Sequence, residues 1–367
     1  MRKIRIYLLM VVLTLIAIGV VMIYSSTAIY AWERFKDGAY FLKRQLLFVF
    51  IGALACVSVM AVDYRKLGRY AKVLVLLSLF LLLLLHLPGV SREISGAKRW
   101  FRIMGFSFQP SEFASLTVII YTAFFLSVKG NQRIEHFTFG FLPVIVVLGM
   151  VSLLILVQPD LGTVIALSMV VLIMLFSAGA RLRHILYIGL LAAPALYLLV
   201  FSVPYRFKRI MAFINPWADP LGSGFQLIQS QVALGSGGIF GKGLGKSMQK
   251  LFYLPAAHTD FIFSIIGEEL GLLAALAIVA LFVIFFINGA KVVKRASDSF
   301  GAFLSLGIIS LISLKAVINI GVSTAIFPTK GLPLPFISYG GSSLVFDMIG
   351  VGLLLNVARF SRQKLEA

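Results

Sequence analysis

From Leu74 to Leu87 the chain is apolar except for Ser78 and His86, and runs of this kind recur along most of its length. A strand of a membrane barrel would alternate apolar and polar side chains, so continuous runs point to helices. Helices also satisfy their own backbone groups where no water is present. With 60% hydrophobic and 13% charged residues among 367, the chain lies far beyond the apolar share of a soluble domain. The fold class that follows is an all-α polytopic membrane protein.

At about 20 apolar residues per span, the pattern predicts about ten transmembrane helices. They begin near residues 6, 46, 73, 112, 140, 161, 184, 261, 301 and 343. An even number places both termini on one side. Arg2, Lys3 and Arg5 before the first span, Arg65, Lys66, Arg69 and Lys72 after the second, and Arg359, Arg362 and Lys364 at the end mark that side as cytoplasmic. The first 28 residues loosely fit a cleavable signal, but their apolar centre is long, and a retained first span is expected. No soluble module or internal repeat stands out, so residues 1–367 read as one integral domain.

On this topology the opposite face carries loops near 27–45, 89–111, 204–260 and 328–342, the long one lying between the seventh and eighth spans. These loops hold Arg34, Lys36, Lys43, Arg44, Arg92, Lys98, Arg99, Arg102, Arg206, Lys208, Arg209, Lys242, Lys246, Lys250 and Lys330. Against them stand only Glu33, Asp37, Glu93, Asp219 and Asp260, with Asp160 set aside as a buried turn acid. Topology gives no reason for a basic excess outside, so an anionic ligand or anionic headgroups are the natural counter-charge. Part of the net charge of +19 is therefore functional. Nucleic acid is not the partner expected, because the cations are scattered over membrane loops and no nucleic-acid-binding module can be placed.

Cys56, the single cysteine, rules out a disulfide framework. His86, His136, His184 and His258 show no metal-ligand spacing, so no protein-built metal site is expected.

Four polar constellations remain. Lys98, Arg99, Trp100 and Arg102 precede Gln109, Pro110, Ser111 and Glu112, where a span starts. Glu112 can be a helix-start acid, but cations beside an acid at a membrane edge favour an anion site. Residues 222–231 have an amphipathic rhythm suited to a membrane surface. The glycine-rich stretch 235–247 fails as a P-loop, because Phe240 stands where a glycine is required. Its amides, Lys242 and Lys246 suit phosphate oxygens as well as they suit a plain loop. Residues 328–343 hold three prolines and three glycines and read as an irregular, re-entrant cavity wall. Inside the spans, Lys315 with Asn319, and Glu268 with Glu269, are intramembrane polar pairs that a neighbour can satisfy. Asp260 closes the long loop where apolar sequence resumes, which makes it a functional candidate.

At these motifs the chain resembles the SEDS family (shape, elongation, division and sporulation) of bacterial peptidoglycan polymerases, of which FtsW and RodA are the type members. The matching segments are Gly96 to Trp100, Phe108 to Glu112, Gln158 to Thr163, Asn215 to Gln229, Gly235 to Gly245, Phe252 to Gly271 and Gly331 to Ser343. The wording of 258–264 and 328–331 is most like FtsW. The resemblance implies a ten-helix fold and glycosyl transfer at the outer leaflet, joining lipid II into glycan strands with loss of undecaprenyl pyrophosphate. It implies Asp260 as the essential carboxylate, suited to be general base for the acceptor hydroxyl, in a direct displacement that inverts the donor linkage. Lys98, Arg99, Arg102, Lys242 and Lys330 are the cations expected to meet the leaving pyrophosphate. Trp100, Gln109, Glu112, His258, Ser342 and Ser343 stand with them as candidate substrate contacts. Ser115 departs from the family, which often has lysine there, and leaves the cation facing Glu112 open. A class B penicillin-binding protein is the implied partner. A divalent cation, Mg or Mn, bridging pyrophosphate oxygens is the one cofactor left open. A lipid II transporter using Glu112, Lys315 and Glu268 as a path, and a scaffold in which Asp260 is dispensable, are the alternatives.

Overall fold

The computed structural model describes residues 1–87, 91–94, 97–103, 106–251 and 253–361. Helices α1 (Arg2–Phe35), α2 (Tyr40–Ala61) and α3 (Arg65–Leu84) lead to a small antiparallel sheet of β1 (Ser91–Ile94), β2 (Ala97–Ile103) and β3 (Phe106–Phe108). Then come α4 (Pro110–Ile134), α5 (Leu142–Val157), α6 (Leu161–Ser177) and α7 (Leu182–Phe201). Within the long loop lie α8 (Pro204–Ile214) and α9 (Phe225–Gly237), before α10 (Ile262–Lys294), α11 (Ser299–Ser323) and α12 (Gly341–Phe360). Among the described residues nine helices are long and apolar enough to cross a membrane, and Leu161–Ser177 is a shorter apolar helix packed with them. The chain is a multi-pass membrane protein.

Local chemistry sets several of these starts. Pro110 opens α4 where its missing N–H costs nothing. Asp160 caps α6 by accepting from the Thr163 amide, and Asp298 caps α11 through Gly301. Helices α4, α11 and α12 are buried along most of their length and form the centre, whereas α7 is almost wholly exposed. The centre is ringed by α2 packed on α12, α3 on α4, and α1 and α9 on α10.

Residues 91–108 depart from the loop expected there. Two short ladders join them, with Arg92 opposite Trp100 and Phe101 opposite Phe108. Strands this short carry too few alternations to be read from sequence. Helix α9 turns a buried face, including Leu227, Ile228 and Ala233, onto α10 and α11 rather than presenting only a surface rhythm.

Two breaks position everything that follows. Helix α10 leaves helical geometry at Gly271, at φ 80°, a conformation open to glycine. The glycine-rich loop fills the gap: Lys242 and Gly243 amides donate to the carbonyls of Glu268 and Glu269, and the Leu272 amide donates to Gly238. The second break is the segment between α11 and α12, irregular and buried at Leu332, Leu334, Phe336 and Ile337, as its prolines require.

At the α9–α10 crossing, a Cβ on Gly237 would lie 1.9 Å from the Gly267 carbonyl oxygen. Gly237→Ala is therefore expected to cost about 1–3 kcal/mol by overpacking. Gly149→Ala, where nothing lies within 4 Å of the added carbon, is the matched control and should hold its melting temperature in detergent.

Candidate functional site

Asp260 sits on the short turn before α10, and its backbone is held from two sides. The Tyr339 amide donates to the His258 carbonyl at 2.9 Å, the Ser338 hydroxyl to Thr259 at 2.6 Å, and the Asn319 amide to Asp260 at 2.9 Å. Three successive carbonyls are thus tied to the α11 side chain and the irregular segment. Asn319 also donates to the Leu332 carbonyl at 2.8 Å. The carboxylate faces Gly331, where a Cβ would lie 3.1 Å from its Oδ2.

The Asp260 side chain is partly exposed but densely surrounded by protein. Burial pushes its carboxyl up to about 6, against the pull of Arg209 and Arg99 and with a push from Asp160. Neither arginine is spent on it. Arg99 donates to the carbonyls of Gln158 and Pro159 at 2.7 Å each, and Arg209 to Thr329 at 3.2 Å while lying over the Tyr205 ring. Among the described residues Asp260 makes no ion pair. Lys330, next to Gly331, is half-buried, which lowers its ammonium from the usual lysine range, and it too has no ion-pair partner there. His258 is packed among Tyr30, Phe41 and Tyr339 with ring centroids 5.3 to 6.1 Å away. Burial pushes its imidazole down to about 4, so it is neutral at pH 7.

The other expected residues fall into two further groups. Glu112 on α4 meets Lys315 of α11 at 2.6 Å, and Lys315 also bonds Asp347 of α12 at 3.1 Å. Ser343 hydrogen-bonds Asp347, while Ser342 accepts from the Gln109 amide and donates to the Ser107 carbonyl. Lys315 therefore supplies the cation that Ser115 does not; the Ser115 hydroxyl turns back onto the Ser111 carbonyl. Lys242 lies in the third group, bonded to Glu268 and Ser236, with Ser247 also on Glu268 and Lys250 on Glu269. The anion held by the glycine-rich loop is thus the protein's own acid pair. Ser25 of α1 donates to Glu269 at 2.5 Å and ties the first span to this network. Trp100 is half-buried on β2. The side chains of Lys98 and Arg102 lie outside the described residues, as does Phe252.

Arg209 and Asp160 belong to the Asp260 group although neither is among the expected site residues. The signal for Arg209 is the charge on α8, where Arg206, Lys208 and Arg209 cluster between Pro204 and Asn215. Asp160 is marked by its place in the Gln158 to Thr163 motif. Among the described residues no group of three or more His, Cys, Asp or Glu is arranged to hold a metal ion.

Removing Lys315 would strand two buried carboxylates. Lys315→Met is expected to destabilise by about 3–5 kcal/mol, read as a lower melting temperature in detergent, whereas exchanging exposed Lys43, which meets Asp37 on the surface, should shift it by less than about 1 kcal/mol.

The family profile described as "Cell cycle protein", FtsW/RodA/SpoVE, matches residues 5–363. The probable peptidoglycan glycosyltransferase FtsW of Geobacter metallireducens is 46% identical over 361 residues, 98% of this chain and 96% of that one. Stage V sporulation protein E of Bacillus subtilis is 46% identical over 355 residues, 97% of both chains. Among solved structures, a chain of a peptidoglycan synthase complex that coordinates polymerization and crosslinking superposes with TM-score 0.78 at 30% identity, covering 97% of this chain and 98% of that one. The rod shape determining protein RodA of Thermus thermophilus superposes with TM-score 0.70 at 28% identity, covering 96% and 95%. With a family profile matched over residues 5–363 and relatives 46% identical over nearly the whole chain, the chain belongs to the FtsW/RodA/SpoVE, or SEDS, family and is FtsW-like within it.

Proposed function

We propose that this protein is a peptidoglycan glycosyltransferase that polymerises lipid II at the outer face of the cytoplasmic membrane, with Asp260 as the general base. The observation that carries the assignment is a fixed, unpaired carboxylate among cations whose hydrogen bonds go elsewhere. The acceptor's 4-hydroxyl loses its proton to Asp260 as its oxygen attacks the donor's anomeric carbon. The C–O bond to pyrophosphate breaks on the opposite side, so the α-linkage becomes β. The departing oxygen takes the electron pair and needs little protonation, since pyrophosphate is already a good leaving group. Arg99, Arg209 and Lys330 supply positive charge where that negative charge collects. Lys98 and Arg102 are proposed as further cations for the leaving pyrophosphate from the sequence motif alone.

Glu112, Ser342, Ser343 and Gln109 sit where α4 and α12 begin, and they frame the site rather than perform the transfer. The transporter alternative would use Glu112, Lys315 and Glu268 as its path, yet all three are closed into ion pairs. A divalent cation, if one takes part, would neutralise charge on the leaving pyrophosphate. Chelation followed by add-back of Mg or Mn should abolish and then restore polymerisation. A class B penicillin-binding protein is the proposed partner, cross-linking the strands made here. Both termini are assigned to the cytoplasm from the basic residues at the ends of the chain.

The test is strand synthesis from purified lipid II by the protein with its cognate transpeptidase, whose cross-linking serine is inactivated. Native protein should polymerise, and Asp260→Ala, folded and still partner-bound, should not. Equal activity of the two would remove Asp260 as base. Because a base acts only when ionised, and burial raises this one, kcat/KM should fall about tenfold per pH unit below about 6. A limb near the ordinary aspartate value instead would mean that the carboxyl is solvated during turnover.

A further inference from the structure

Asn319 lies in the last quarter of α11, one turn beyond Lys315, and is 1% exposed. Its single side-chain nitrogen donates to two carbonyls far apart in sequence, Asp260 at 2.9 Å and Leu332 at 2.8 Å. The first belongs to the residue that carries the carboxylate. The second belongs to the segment that runs past it, because Gly331, the residue before Leu332, forms the surface against which Asp260 Oδ2 rests. Neither carbonyl is in a helix or strand, so neither has a neighbour in regular structure to fix it. One buried amide therefore sets both the acid and the floor beneath it.

The amide is itself well anchored. Lys315, four residues earlier on the same face, is bonded to α4 and α12 at once, which fixes how α11 is rotated. Ser323, four residues later, accepts on its carbonyl from Ser230 of α9. Among the described residues the Asn319 Oδ1 has no hydrogen-bond partner, so the side chain acts through what its nitrogen donates.

We infer that Asn319 is a positioning residue for the transfer reaction, holding Asp260 and the 331–332 backbone at the separation the acceptor hydroxyl requires. This rests on the reading of Asp260 as base. Loss of the clamp lets the carboxylate drift from the 331–332 backbone while Arg99, held by Gln158 and Pro159, stays in place, so turnover suffers more than affinity.

The structure contains its own control. Asn356 on α12 is a buried amide that donates to Val59 at 2.7 Å and to Val62, the same double-carbonyl clamp on a different loop. In the lipid II assay with the partner present, Asn319→Ala is expected to lower kcat by about 100-fold with KM within about threefold of native. Asn356→Ala should keep kcat within about threefold of native even where its melting temperature falls as far. Asn319→Ser, which retains one donor, should lie between native and Ala, and it is the variant to read if Asn319→Ala does not fold. Native kcat in Asn319→Ala beside an inactive Asp260→Ala would overturn the clamp and leave the base assignment standing. Equal kcat losses in Asn319→Ala and Asn356→Ala would reduce both asparagines to structural roles and overturn it as well. Full activity in Asp260→Ala would instead remove the base, and the inference with it.

Discussion

Every place where this bundle departs from helix must be repaired by the protein's own groups, because the hydrocarbon offers no water to bond a free carbonyl or amide. The repair at Gly271 comes from the glycine-rich loop, whose amides replace the bonds α10 gives up. The repair of the segment between α11 and α12 comes from Asn319, Ser338 and the turn at His258 to Asp260. The second repair falls on the short stretch of chain that carries Asp260. The acid is therefore placed by the same bonds that make the irregular backbone tolerable, and site and fold are not separate problems here.

The buried charges obey a related constraint. A lone ion in the core is expensive, so Lys315 is shared by Glu112 and Asp347, and the adjacent acids Glu268 and Glu269 are met by Lys242, Lys250, Ser247 and Ser25. Each network joins at least three segments of chain. Four carboxylates that would otherwise loosen the bundle become its cross-links, and they fix α1, α4, α10, α11 and α12 around the short turn at 258–260.

Much of this was legible in the sequence. Long apolar runs gave the spans, since their length and continuity follow from the bilayer itself, but the starts expected near 46 and 73 fall well inside α2 and α3, which open at Tyr40 and Arg65 with polar or basic residues. Asp260 stood out because it closes the long loop where apolar sequence resumes. The irregular segment was readable from Pro328, Pro333 and Pro335. What stayed hidden depends on contacts through space. That Lys315 would meet Glu112, 203 positions away, leaves no mark on local periodicity. The amides of the glycine-rich stretch 235–247 looked available to phosphate because nothing nearby in sequence showed that Glu268 and Glu269 would claim those of Lys242, Gly243 and Ser247. Arg209 looked like one more loop cation, since only the folded chain brings α8 to Thr329. The sheet at 91–108 was missed because a ladder of three or four residues is shorter than the pattern that would reveal it.

The contrast among the acids argues for where the chemistry lies. Glu112, Glu268, Glu269 and Asp347 each bond a lysine, and a carboxylate so paired is a poor proton acceptor because protonation would break the pair. Asp260 is as crowded by protein as they are, yet among the described residues it has no such partner. The two guanidinium groups that act on it, Arg99 and Arg209, direct their N–H groups at the carbonyls of Gln158, Pro159 and Thr329. Their positive charge is thus held beside the carboxylate without consuming it. A structural acid would gain by closing that gap. An acid that must take a proton while a pyrophosphate departs nearby needs the gap open, with fixed cations facing it and no ion pair to break.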